Sequence, residues 1–330
     1  MKTKNITFCL VAILALSVGI CRAELRVLFA SDHNDSNYEL YSMATNGTDV
    51  SRITTTGVDE WAPAISPNNI DVAFVSLAGT ISNIYLTSVF GGTPIQLQNT
   101  NEALCVQFAS TGTIYFLAKK DSSGGTTDFQ LWKINTDSSG EERVFTDNLR
   151  CWTMGAKDFS INQSNQNVYL SSFTSTWSSS FIHYGGVSDT ELQGMLIYDS
   201  SLGDRYWPEV SPNASRITFC ADYGSGNHRL YSDNATPGGA NANLICQTFC
   251  GNPSWIDNNS IVFTRADAST WGANTYTGDI WRVNFDGSGL TKLTSLGSCA
   301  YSSTFDLIPE PTFIWIIGVL ELWIIGRKKY

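Results

Sequence analysis

Short runs of apolar and aromatic residues recur along the middle of the chain at a nearly constant spacing. Val27-Leu28-Phe29-Ala30, Val72-Ala73-Phe74-Val75, Ile114-Tyr115-Phe116-Leu117, Val168-Tyr169-Leu170, Ile217-Thr218-Phe219-Cys220 and Ile261-Val262-Phe263-Thr264 read as buried strands. Their aromatic anchors, Phe29, Phe74, Phe116, Tyr169, Phe219 and Phe263, lie 45, 42, 53, 50 and 44 residues apart. A second strand with an aromatic follows each run: Leu40-Tyr41, Ile84-Tyr85, Leu131-Trp132, Ile197-Tyr198, Leu230-Tyr231 and Ile280-Trp281. Turns rich in Gly or Asn come next, as at Asn46-Gly47, Gly91-Gly92, Gly238-Gly239 and Asp286-Gly287. A short third strand closes the unit, as at Arg52-Ile53-Thr54, Ile95-Gln96-Leu97 and Lys292-Leu293-Thr294.

A further strand precedes each anchor. Pro63-Ala64-Ile65-Ser66-Pro67-Asn68 is nearly repeated by Pro208-Glu209-Val210-Ser211-Pro212-Asn213. Looser copies are Gln107-Phe108-Ala109-Ser110, Asp158-Phe159-Ser160-Ile161 and Ser254-Trp255-Ile256-Asp257. Four strands in about 45 residues cannot bury both faces of their sheet alone, so such units stack around an axis. The pattern predicts an all-β fold, a six-bladed β-propeller over residues 24–307. Strands predicted at 26–31, 38–43 and 52–54 lack an inner partner, and Ser302-Ser303-Thr304-Phe305-Asp306 lacks outer ones. Pairing that C-terminal strand with the three N-terminal strands closes the ring. The repeat resembles that of TolB-like propellers, whose core reads P-x-W-S-P-D-G before an I-A-F strand and an I-Y strand. Here Ile65 and Val210 stand for the usual Trp, and Asn69 or Ala214-Ser215 for Asp-Gly. The resemblance covers nearly the whole body and implies fold, since this repeat serves many roles.

The two ends follow other patterns. Lys2 and Lys4, an apolar run from Ile6 to Ile20 and the small-residue spacing at Cys21-Arg22-Ala23 form a secretory signal peptide, residues 1–23. An uncleaved anchor is the competing reading, and the run is short for a span. At the other end, Pro309, Glu310 and Pro311 precede an apolar run from Thr312 to Gly326, and Arg327, Lys328 and Lys329 follow it. Residues 308–330 resemble a PEP-CTERM sorting signal. The resemblance implies recognition by exosortase-type machinery and retention in the membrane through the C-terminal segment. Glu321 departs from the pattern, because a carboxylate is costly in lipid. A plain C-terminal anchor has the same order of parts.

Charge narrows the partners. Of 20 Lys/Arg and 30 Asp/Glu, three basic residues precede Glu24, and three basic and two acidic ones follow Leu307, leaving 14 and 28 in the body. Such an excess of acid excludes nucleic acid, whose phosphates need Lys and Arg. It favours cationic partners. Cys9 and Cys21 fall in the leader, and Cys105, Cys151, Cys220, Cys246, Cys250 and Cys299 remain. Six cysteines in an exported chain allow fifteen pairings. Cys105, Cys151, Cys250 and Cys299 each fall just before an inner strand, and the first two and last two serve consecutive blades. Bridges between those neighbours are the candidate disulfides. No CxxC pair exists, so no metal is expected, and no cofactor.

Candidate chemistry is sparse. His33, His183 and His228 are the three histidines, with His33 and His228 expected in equivalent loops. The run Asp32-His33-Asn34-Asp35-Ser36-Asn37 lacks the glycine and distal Glu of an EF-hand and reads as an acidic turn. Serines sit in repeat positions rather than in G-x-S-x-G elbows. Aromatics are more informative. Trp61, Trp152, Trp177, Tyr206, Trp207, Trp271 and Tyr301 fall in connections that a propeller opens on one face. Aromatics exposed on one face form a binding surface, whereas buried ones cap the packing between blades. Two functions follow. One is an envelope-associated binding or scaffold module for a protein, peptide or glycan. The other is an enzyme, a propeller-type polysaccharide lyase or glycosidase, against which the lack of a histidine cluster counts.

Overall fold

The computed structural model describes residues 24–307 except 98–99, 101, 120–128, 146–157, 173–179, 198–201, 223–227, 239–241, 248 and 267–276. The leader and sorting segment predicted at 1–23 and 308–330 lie outside the described residues. Leu25–Phe305 form one compact body.

The chain lays down three strands first: β1 (Glu24–Ser31), β2 (Glu39–Ala44) and β3 (Ser51–Arg52). Five four-stranded sets follow. They are β4 (Glu60–Ile65), β5 (Asp71–Ala78), β6 (Ile81–Ser88) and β7 (Gly91–Gln96); then β8 (Ala103–Ser110), β9 (Thr113–Ala118), β10 (Gln130–Asn135) and β11 (Glu142–Arg143). Next come β12 (Phe159–Asn162), β13 (Asn167–Ser172), β14 (Phe181–Gly186) and β15 (Gly194–Ile197). The last two sets are β16 (Arg205–Val210), β17 (Arg216–Asp222), β18 (His228–Asn234) and β19 (Asn243–Cys246), then β20 (Cys250–Trp255), β21 (Ser260–Arg265), β22 (Asp279–Asn284) and β23 (Thr291–Lys292). The final strand, β24 (Cys299–Leu307), joins the first set in the order β24-β1-β2-β3. Six sheets of four strands result, with the predicted closure. We number the blades I to VI from this composite one.

Burial falls from the second strand of each blade outward. β1, β9, β13, β17 and β21 are almost wholly buried, because neighbouring blades cover both of their faces. The outer strands β3, β7, β11 and β23 are largely exposed. All six anchor aromatics are buried. Three of them stack on the aromatic of the next strand: Phe29 on Tyr41, Phe74 on Tyr85 and Phe219 on Tyr231, at 5.8–5.9 Å between rings. Blade IV differs from the expectation. Its third strand is β14, with Tyr184 opposite Tyr169, and Ile197 belongs to the outermost strand β15.

The Ser-Pro-Asn repeat makes the turn after the inner strand. Ser66 and Ser211 carbonyls accept the Asn69 and Ala214 amides at 2.9 and 2.8 Å, while their hydroxyls accept the Asp71 and Arg216 amides at 3.2 and 3.0 Å. Asn69, Gln166 and Ala214 adopt φ of 60°, 54° and 57° there, the left-handed region in which the related repeat has glycine. A threonine near the end of the outer strand does a second repeated job. Thr54, Thr100 and Thr294 hydroxyls accept the amides of Leu40, Ile84 and Ile280 at 2.9–3.0 Å.

Side chains stitch the blades together. Trp61 donates its indole N–H to the Leu104 carbonyl at 3.0 Å, and Trp255 donates to that of Glu209 at 2.9 Å. Asn162 reaches the Ser211 carbonyl at 2.7 Å, and Thr304 on the closing strand reaches that of Trp255 at 2.5 Å. Gly47 marks the seam between blades I and VI: its φ is 86°, and a Cβ there would strike the Leu293 carbonyl.

Candidate functional site

Each inner strand starts at the end of the ring where the second and third strands of a blade turn into one another. The register sets the first residues at one level. Glu60, Ala103, Arg205 and Cys250 lie opposite Ser76, Ala118, Ala221 and Arg265, each two residues beyond its anchor. Asp158, whose carbonyl accepts the Ser171 amide, is the blade IV counterpart. Cys299, whose thiol is 3.9 Å from the Ser31 hydroxyl, is that of blade I. All six are buried.

Two residues further on, three inner strands bulge alike, and β8 has its own register shift between Ala103 and Cys105. Register shifts occur between Trp61 and Ala64, Tyr206 and Glu209, and Gly251 and Ser254. Ala62, Trp207 and Asn252, each directly before a proline, take φ of 51°, 54° and 49°. A bulge sets two residues against one and re-aims their side chains. This overturns the expectation for Trp207. The bulge turns its ring inward until it is 1% exposed, edge-on to His228 at 5.1 Å, so it packs the seam rather than the open face. Tyr206 is likewise buried, 5.4 Å from the same imidazole. Trp61 is only half-buried and stays at the surface of this end. Tyr301 lies in β24, and Trp152, Trp177 and Trp271 fall outside the described residues.

The histidines are not equivalent. His33 sits in the turn after β1, against Tyr41 at 4.6 Å, whereas His228 opens β18 and matches Tyr38 by register. Burial pushes the His228 imidazole down to about 4, against the opposing pull of Asp222. His183 is also lowered by burial, with its Nδ1 2.8 Å from the Ser172 hydroxyl. The Tyr206 phenol is raised by burial first, then by Asp204, Asp222 and Asp158. A neutral imidazole beside a neutral phenol packs well and exchanges protons poorly at neutral pH. Arg205, one residue before Tyr206, packs toward blade IV instead. Its guanidinium donates to the carbonyls of Ser180 and Gly203, both at 3.1 Å, and lies 4.6 Å over the Phe181 ring.

Blades I and II meet around two buried carboxylates. Glu39 accepts the amides of Thr56 and Gly57 at 2.9 and 3.0 Å and pairs with Arg52 at 3.0 Å. Arg52 also pairs with Asp35 at 2.6 Å, which ties down the acidic turn. Glu60 is held by the hydroxyls of Thr54 and Thr56. Burial raises Glu60 to about 7; the two threonines and Arg52 oppose the shift, and Glu39 adds to it. Blade VI has the same device with Asp279, which accepts the Leu296 and Gly297 amides at 2.8 and 3.0 Å.

A pH dependence follows. Between the ordinary value of 4.5 and about 7, folded Glu60 keeps a proton that the unfolded chain has released. Folding therefore takes up a proton, and this contribution to stability is present at low pH and lost as pH rises through about 7. The loss amounts to about 3 kcal/mol. Glu60→Gln should flatten the thermal midpoint between pH 5 and pH 8 and raise it at pH 8. Parallel curves for variant and wild type would show that Glu60 does not titrate with folding.

The cysteines are placed differently from the expectation. Cys105, Cys220, Cys246, Cys250 and Cys299 are buried thiols, and Cys151 lies outside the described residues. Cys250 hydrogen-bonds with Cys246 rather than facing Cys299, whose sulfur is 3.7 Å from the Thr294 hydroxyl. Among the described residues no group of three or more His, Cys, Asp or Glu side chains is arranged to hold a metal ion. Sequence reasoning missed Glu60 and Arg205. Their signal was present, because Glu60, Arg205 and Cys250 all stand three residues before a proline, Pro63, Pro208 and Pro253.

No protein-family model and no curated protein sequence matches the chain. Solved structures do. TolB from Acinetobacter baumannii is similar with a TM-score of 0.68 at 13% identity, over 84% of this chain and 66% of that one. This chain thus spans slightly under two thirds of the TolB chain's length. A chain of a nidogen/laminin complex is similar with a TM-score of 0.62 at 12% identity, over 85% of this chain and 98% of that one. Likeness at such identities is a likeness of fold, and the fold is the six-bladed β-propeller.

Proposed function

We propose that the protein is an exported, envelope-held propeller that binds a protein, peptide or glycan on the face where its inner strands begin, without catalysis. The observation that carries this reading is the segregation of the fold. One end gathers the starts of six inner strands, the half-exposed Trp61, and the strand ends flanking the segments that hold Trp152, Trp177 and Trp271. Loops on a rigid scaffold are where binding residues concentrate. Charged groups at this end support binding over chemistry, since Glu39, Arg205 and Asp279 are engaged with backbone groups and, for the two carboxylates, with Arg52 and Lys292. One similar structure is of nidogen with laminin, which makes a protein the first ligand class to test.

Trp177 and Trp271 are the decisive pair, because Ser175–Ser180 and Ala266–Gly278 offer few apolar neighbours for a tryptophan. Replacing both with alanine should weaken binding to a peptide library or glycan array at least tenfold, with the thermal midpoint within about 2 °C of wild type. A large stability loss instead would make them packing residues. Cleavage of a polysaccharide by the purified protein would favour the lyase or glycosidase reading.

Export and sorting rest on the two ends of the sequence. In this reading the leader is removed after Ala23, and exosortase-type machinery reads Pro309, Glu310 and Pro311 while the apolar run and Arg327, Lys328 and Lys329 hold the chain in the membrane. Replacing the three motif residues with alanine should leave full-length tail in the membrane fraction. Normal tail removal in that variant would reject the sorting reading.

A further inference from the structure

We infer that Cys246 and Cys250 form a dithiol that closes to a disulfide across the seam between blades V and VI, leaving Cys220 as a thiol. The inference is independent of the ligand-face reading. Cys246 ends the outer strand of blade V, and Cys250 begins the inner strand of blade VI, with Gln247, Thr248 and Phe249 between them. The two sulfurs are within hydrogen-bonding reach of each other. Both pack in one cluster with Cys220, Leu230, Trp255, Ile261 and Phe263.

Geometry rules out Cys220 as the partner of Cys246. Cys220 lies opposite Leu230, and Leu230 lies opposite Cys246. Cys220 and Cys246 are therefore two strands apart, about 10 Å between Cα atoms at ordinary strand spacing. A disulfide needs them within about 7 Å. Leu230 stands between them. Cys299 is engaged elsewhere, by Thr294 and Ser31.

The oxidant is a low-molecular-weight disulfide. Cys246, 5% exposed against 0% for Cys250, meets it first. The Cys246 thiolate attacks one oxidant sulfur, the oxidant S–S bond breaks, and one thiolate leaves and takes up a proton. Cys250, deprotonated in turn, attacks the Cys246 sulfur and expels the second thiol. Two electrons pass from the cysteine pair to the oxidant, and the two cysteine protons end on the two released thiols. Burial raises Cys250 well above the ordinary thiol value, so the thiolate is scarce in the closed seam. Exchange then requires the buried thiols to be exposed, which makes the bridge slow to form and slow to reduce once the ring is shut.

The test is to refold the full chain in a glutathione redox buffer, block remaining thiols by alkylation and map tryptic peptides without reduction. Cys246 and Cys250 fall in one peptide, 230–265, and Cys220 in another ending at Arg229. The expected result is a 230–265 peptide lighter by two hydrogens and unalkylated, with Cys220 alkylated. Oxidation should raise the thermal midpoint by roughly 3–6 °C. Cys220→Ala should leave the link in place. Alkylation of both Cys246 and Cys250 after refolding, or a link from either one to Cys220 or Cys299, would overturn the inference.

Discussion

Deleting Ser302–Asp306 is expected to abolish the cooperative unfolding of the propeller body. These residues form most of β24, the inner strand of blade I. Without them the fully buried run Val27-Leu28-Phe29-Ala30 on β1 loses its neighbour, and sheet edges open on both sides of the gap. The hydrogen bonds of Ser302 to the Asn252 carbonyl and Thr304 to that of Trp255 vanish as well, and blade VI loosens with blade I. A loss on the order of 5–10 kcal/mol equals the whole stability of a typical domain. Calorimetry on the truncated body should show a broad transition of low enthalpy, or none. A sharp transition at the wild-type temperature would mean that the ring does not depend on this strand.

Arg205→Ala should carry the largest cost of any single substitution at the loop face. The side chain is 1% exposed, so its charge is satisfied wholly from within. Removing it strands the Ser180 and Gly203 carbonyls and empties the space over the Phe181 ring. Breaking one partner of a buried charged network costs about 3–4 kcal/mol. The corresponding fall in thermal midpoint is roughly 5–7 °C for a body of this size. Arg205→Lys should fall between the two, since an ammonium keeps the charge but cannot reach two carbonyls with a flat face over the ring. A variant Arg205→Ala that melts within about 2 °C of wild type would remove Arg205 from the account of this seam.

Blades and closure were legible because they depend on apolar periodicity and spacing, both of which are local properties of the chain. Blade IV was misread at one strand. Ile197-Tyr198 matches the repeat better than Phe181-Ile182-His183-Tyr184, yet Tyr184 is the residue that meets Tyr169. Cross-strand partnership decides the assignment there, and it is not written in either segment alone. The loop face was legible as a region and not residue by residue. Trp207 was expected on the open face because it falls in a connection leading into an inner strand; a left-handed bulge buries it instead. Glu60 and Arg205 escaped notice for a related reason. Their shared spacing to Pro63 and Pro208 was in the sequence, but that they stand at one level of their inner strands follows from the register.

The composite blade has a consequence for the topology of the chain. Ser31, last in β1, lies beside Cys299, first in β24, so the two strands run antiparallel and the free ends of the ring are neighbours. A ring whose ends adjoin has no privileged starting point. Circular permutation, with the old ends joined by a short linker and new ones cut in an exposed turn such as Gly79-Thr80, would preserve every sheet while changing which blade is assembled from both ends. The physics of the ring is indifferent to which blade is the composite one.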